Sequence, residues 1–140
     1  MIPNGNHLEP MMTVGFLLAA AWNVLGMLAF SKFFTNRLLA SLDPAVFSWL
    51  GQIAVVLWGL AYWSVAKSYP YVPWLLVVFF VEKMIYGGRW LVWLIAHGKT
   101  LPRIASESFL TAVFYAIYGA GDLIFGFLFG WLALRALTAQ

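Results

Sequence analysis

At 140 residues the chain is one domain by length, but 64% hydrophobic content against 9% charged residues lies outside the balance of a water-soluble domain. The net charge of +3 comes from basic residues scattered one or two per loop, a topology signal rather than a nucleic-acid-binding patch, so no nucleic acid is expected as a partner. The lack of cysteine excludes disulfides, thiol redox chemistry and thiolate metal sites.

A bilayer's hydrocarbon core is about 30 Å thick and takes about 20 apolar residues to cross as a helix. Four stretches qualify, and their apolar runs are continuous rather than alternating, which predicts helices at about 11–31, 44–66, 72–97 and 102–136. The expected fold is all-α, a single transmembrane domain over 1–140. It is an integral membrane four-helix bundle, antiparallel and up-down, with a short interfacial segment between helices 1 and 2.

The leader MIPNGNHLEP has no basic n-region and no small-residue cleavage site follows, so the first stretch is expected to be a retained helix rather than a signal peptide. Asn23 lies near its middle, where a side-chain amide suits interhelical hydrogen bonding better than a ligand. The segment 31–44, SKFFTNRLLASLDP, sets paired apolar residues against Lys32 and Arg37 and suits a short helix lying in the interface. Asp43-Pro44 is a strong helix start, because aspartate caps free N–H groups and proline at the first position loses no hydrogen bond. On helix 2, Ser48, Gln52, Gly59 and Trp63 share a face, with Gln52 read first as a bond to a neighbouring helix. Tyr62 and Trp63 fall where amphipathic aromatics settle at the lipid boundary.

The turn Lys67–Pro73 only reverses the chain. Helix 3 then carries Glu82, Lys83 and Arg89 inside an apolar span, where charge is costly enough to face a protein interior. At 100° per residue, Glu82, Tyr86, Arg89, Trp93 and, more loosely, His97 make one polar stripe. Lys83 lies one step off it, facing an adjacent helix or snorkelling. His97 suits the helix C-terminus and, with no second histidine in the bundle, no metal site is assigned. Helix 4 places Glu107, Thr111, Tyr118 and Asp122 on one face. Gly126 and Gly130 follow in GxxxG spacing, which permits close approach within the bundle or between protomers of a homo-oligomer.

Lys32, Arg37, Lys99 and Arg103 against Lys67 and Arg135 put the loops after helices 1 and 3 in the cytoplasm, both termini outside, and the chain in the cytoplasmic (inner) membrane. With about 1.5 Å of rise per residue, Glu82 and Asp122 reach one depth on the same side of the midplane, and Arg89 and Gln52 another. The expected centre is thus a polar seam of Asn23, Gln52, Glu82, Lys83, Tyr86, Arg89, Tyr118 and Asp122, whose charges sum to zero. Such a seam serves as register-fixing ion pairs, as a proton- or amine-binding site, or as acid/base machinery for a lipid-soluble substrate. The preferred function is binding, within the bilayer, of a small lipophilic ligand or a partner membrane subunit. A proton-coupled small transporter is second and an isomerase-like enzyme third. No catalytic residue, cofactor or metal is assigned.

The segments AAWNVLGMLAF, GLAYWSVA, EKMIYGGRWLVW and YGAGDLIFGFLF, spanning about 20–129, resemble small uncharacterised bacterial membrane proteins of DoxX-like organisation. The resemblance implies a compact four-helix bundle in the cytoplasmic membrane, in proteins some of which are subunits of membrane redox assemblies. Chains of that kind carry Gly-Lys where this one has Glu82-Lys83, and Asn-Asp where it has Gly121-Asp122. Lys83 and Asp122 match the pattern, which implies a pair between them, and Glu82 departs from it.

Overall fold

The computed structural model describes residues 8–140, which are helical apart from turns, with no strand among them. The expectation about the leader falls mostly on residues 1–7, outside the described residues. The helices are α1 (Leu8–Phe30), α2 (Arg37–Leu42), α3 (Pro44–Phe47), α4 (Trp49–Val65), α5 (Pro73–His97), α6 (Leu101–Glu107) and α7 (Phe109–Thr138).

Two of the four expected helices are broken near their starts. At Ser48 and Ser108 the backbone leaves the helical region, and each serine hydroxyl accepts a hydrogen bond from the amide three residues on, Gly51 and Thr111, both at 3.3 Å. A serine that satisfies a free N–H in this way caps a new helix instead of continuing the old one. The first breaks α3 from α4 and the second α6 from α7, which leaves Glu107 exposed on α6 rather than on the face that carries Asp122.

The four long helices pack as two antiparallel pairs. α5 lies along α7 and α1 along α4, with α1 also touching α7. Glycines set the closest approaches. A Cβ at Gly126 would stand 2.3 Å from Met84 and 3.0 Å from the Lys83 Cβ, and one at Gly119 would stand 2.1 Å from Trp90. Gly130 of the GxxxG pair faces Phe80, so both of its glycines face α5 inside the bundle.

The short helices form a collar at one end. Asn36 holds it, donating to the Phe30 carbonyl and the Thr111 hydroxyl, each at 2.9 Å, while its oxygen caps α2 through Leu39 N–H. Lys32, Phe33 and Phe34 just before it all have positive φ, at 51°, 55° and 67°. Left-handed backbone costs about 1–2 kcal/mol per non-glycine residue. Here the buried Ser31 hydroxyl fixes the turn by accepting the Phe34 amide at 3.0 Å.

Alongside an apolar core, several polar and charged side chains are buried while large apolar ones are exposed. Asn23, Gln52, Glu82, Lys83 and Asp122 are inside, while Leu18, Leu25, Leu57, Val92, Ile95, Ile124, Phe127 and Leu134 face out. Among the described residues, two helices are long and apolar enough to cross a membrane, over Glu9–Phe30 and Phe109–Thr138, with mean hydropathies of 1.8 and 1.7.

Candidate functional site: a polar layer between two aromatic cores

The interior has two apolar clusters. One, around Phe16, Tyr62, Tyr69, Phe79 and Phe129, lies toward the α4–α5 turn, and the other, around Phe47, Trp90, Trp93, Phe114, Tyr115 and Tyr118, lies under the collar. Between them sits a layer of polar groups that joins all four long helices.

Lys83 is its hub. The ammonium donates to Asp122 Oδ1 at 2.7 Å and to Asn23 Oδ1 at 2.8 Å, and stands 5.0 Å from the centre of the Tyr62 ring. Asn23 in turn donates to the Val55 carbonyl of α4 at 3.0 Å. One cation thus ties α5 to α1 and α7, with α4 reached through the amide. Local packing dictates this placement. Gly126 lies one turn beyond Asp122, and its missing side chain lets the Lys83 stem lie against α7 and reach back to the carboxylate. Lys83 is therefore fully buried, neither snorkelling nor aside from the seam.

Glu82 turns to α4, where the Tyr62 hydroxyl donates to its Oε2. The sequence pattern puts Tyr62 at the lipid boundary together with Trp63, and the structure does not. Neighbours on a helix point 100° apart, and only Trp63 is exposed. The buried face of α4 runs through Gln52, Gly59 and Tyr62, and that direction is the signal that could have found this residue.

Arg89 does not join the seam. It makes a two-pronged pair with Asp43, Nε to Oδ2 at 3.0 Å and Nη2 to Oδ1 at 2.8 Å. It lies seven residues beyond Glu82, about 10 Å along the axis, which carries its long side chain to the collar. Asp43 makes no side-chain capping bond to α3, and its carboxylate serves the guanidinium instead. Trp93, on the same stripe, donates to the Leu42 carbonyl at 3.2 Å, so this half of the stripe docks the collar. Gln52 also stays local. It donates to the Phe47 carbonyl at 2.9 Å, a group freed by the break at Ser48, and its oxygen has no partner.

With Arg89 removed, the charges of the layer do not sum to zero. Glu82 and Asp122 face a single ammonium, and among the described residues the ion pairs are Lys83–Asp122 and Arg89–Asp43.

Beside this layer a cavity opens among α1, α3, α4, α5 and α7. Asn23, Glu82, Tyr86, Tyr118 and Asp122 make its polar wall, and Trp22, Met27, Phe30, Phe47, Phe114 and Ile117 are among its apolar lining. About 40 Å³ is open to the centres of water molecules, and the unfilled volume between the lining side chains is about 480 Å³, its open mouth included. The Tyr118 hydroxyl is buried and unpartnered. Trp90 and Trp93 stay in the neighbouring core, where Trp90 donates to the Tyr115 carbonyl at 2.8 Å. His97 is exposed against Trp93, and among the described residues no group of three His, Cys, Asp or Glu side chains is gathered to hold a metal ion.

Chemically, the layer supplies a fixed ammonium, two carboxyl groups and a free phenol along an aromatic wall. Such a cavity, mainly apolar with a few convergent polar groups, has the composition of a small-molecule site. Comparison with protein-family models, curated proteins and solved structures found no match to this chain.

Proposed function

We propose that the chain is an integral membrane protein whose long helices α1, α4, α5 and α7 cross the bilayer, and that it binds a small lipophilic molecule in the cavity beside Glu82 and Asp122 without catalysing a reaction. The observation that carries this is the cavity itself, apolar over most of its lining, with Glu82, Asp122 and Tyr118, whose hydroxyl is unpartnered, among the residues that line it.

The membrane half of the reading is supported by the outward apolar faces of all four long helices, an area for which lipid is the natural cover. α5 has the length, at 25 residues, and its Glu82 and Lys83 are sequestered in the bundle; α3 adds four residues to the 17 of α4. Trp63, Tyr71 and Trp74 are exposed around the α4–α5 turn, where an aromatic belt belongs. The collar end, with Lys32, Arg37, Lys99 and Arg103, is then cytoplasmic. This is also the architecture that the DoxX-like resemblance implies.

The test is photolabelling of the purified chain, in detergent and in liposomes, with an alkyl diazirine. The expected result is label on Met27, Phe30 or Phe114, lost in Gly26→Leu, which adds a side chain at a lining position where a Cβ meets no atom within 4 Å. Label spread evenly over Leu25 and Ile124 and indifferent to that change would overturn it. A second reading, proton-coupled transport of a small solute, draws on Glu82 and Asp122 lining one cavity, and proton flux in liposomes under a pH gradient separates it from simple binding.

A further inference from the structure

Resting on the reading of this cavity as a lipophile site, we propose that its ligand is a primary amine on an apolar tail, with the ammonium seated among Glu82, Asp122 and Tyr118 and the tail along Met27, Phe30 and Phe114.

Charge balance gives the first argument. Two carboxyl groups share the layer with one ammonium, and that ammonium is committed to Asp122 and Asn23. Arg89, which would have evened the count, is held by Asp43 at the collar. In a dry interior an uncompensated carboxylate draws a proton or a cation. A cationic ligand supplies what the fold leaves out.

Hydrogen-bonding capacity gives the second, and it is independent of charge. Tyr62 donates to Oε2 of Glu82 and Lys83 to Oδ1 of Asp122; among the described residues nothing donates to the other oxygen of either carboxyl group. The hydroxyl of Tyr118, which is 5% exposed, has no partner at all. All three side chains line the cavity. Glu82 and Asp122 each offer an unused oxygen, Tyr118 adds an unpartnered hydroxyl beneath the lining, and a primary ammonium carries three N–H donors. A quaternary ammonium has the charge but no donor.

Size and lining agree with this. Only about 40 Å³ is open to water centres, tight quarters that suit a small head better than a bulky one. Tyr86 and Tyr118 line the cavity together with the two carboxyl groups, and aromatic rings near a cation attract it through their quadrupoles.

The experiment is calorimetric titration of the full chain in a neutral maltoside detergent at neutral pH, with decylamine, decanol and decyltrimethylammonium against protein-free blanks. Decylamine is expected to bind at least about tenfold more tightly than either of the others, with one charge-assisted contact worth about that factor. Glu82→Gln is expected to bring amine and alcohol within about twofold of one another, and Gly26→Leu to weaken all binding. Decanol matching decylamine in the wild-type chain would overturn the amine and leave the lipophile site standing. Decyltrimethylammonium matching it would overturn the hydrogen-bonded seat. If none of the three binds, both this inference and the reading beneath it fall. Should Glu82→Gln not fold, the wild-type ranking and Gly26→Leu decide the matter.

Discussion

α5 carries two cations six residues apart, and the structure gives each an aspartate at nearly the same distance, 2.7 Å for Lys83–Asp122 and 2.8 Å for Arg89–Asp43. Their surroundings differ. The side chains of the first pair are 1% and 9% exposed, whereas the Arg89 side chain is 45% exposed above a buried Asp43. Equal geometry therefore hides unequal energetics. In the interior the two charges interact strongly, yet each has lost its hydration and depends on the other; at the rim, solvent reaches Arg89 and screens the attraction, while the buried Asp43 still depends on its partner. The inner pair fixes how α1, α5 and α7 meet. The outer pair only fastens the collar.

This contrast can be broken from its strong end. Lys83→Met leaves Asp122 buried without a cation and removes the hydrogen bond to Asn23, so a loss of about 3–5 kcal/mol in unfolding free energy is expected by denaturant titration in detergent. Adding Asp122→Leu to that variant should recover most of the loss, because an apolar pair of similar volume needs no compensation. A double variant whose loss equals the sum of the two single losses would show that the two side chains are not coupled. Gly126→Ala should cost about 1–3 kcal/mol, since its Cβ would press on Met84 and the Lys83 stem, and it should lower thermal stability without changing any charge. Arg89→Gln should cost about 1–3 kcal/mol, less than Lys83→Met because solvent reaches Arg89 while Asp43 stays buried, and added salt should narrow its difference from wild type more than that of Lys83→Met. Tyr118→Phe removes a hydroxyl with no partner, so its melting temperature should stay within about a degree of wild type while amine binding weakens.

The inner pair also shows how far the sequence could be read. Long apolar runs made the long helices legible, and their residue rise was enough to bring Glu82 and Asp122 to one cavity. Helical angles alone set Lys83 aside, because they describe one helix and ignore its neighbour; what draws Lys83 in is the space at Gly126 on α7, a tertiary feature. Arg89 went wrong for the opposite reason. Its angle on the stripe is right, but its length and height carry it to Asp43, whose role as a helix cap was the stronger local expectation. The breaks at Ser48 and Ser108 rest on single hydroxyl groups within runs that hydropathy reads as continuous. The three successive left-handed residues at Lys32–Phe34 carry no glycine to announce them.

The Lys83 hub has a consequence for biogenesis. Its anionic partner lies on α7, synthesised after α5, while its amide partner lies on α1, synthesised before it, so α5 leaves the ribosome before its charge can be neutralised. On the membrane reading, a lone lysine at mid-helix opposes insertion by about 2.5–3.5 kcal/mol. α5 is then expected to wait beside the translocon until α7 emerges, and a nascent chain halted before Asp122 should hold its third segment loosely enough for extraction. The bond that locks the finished bundle thereby makes its assembly a single late event.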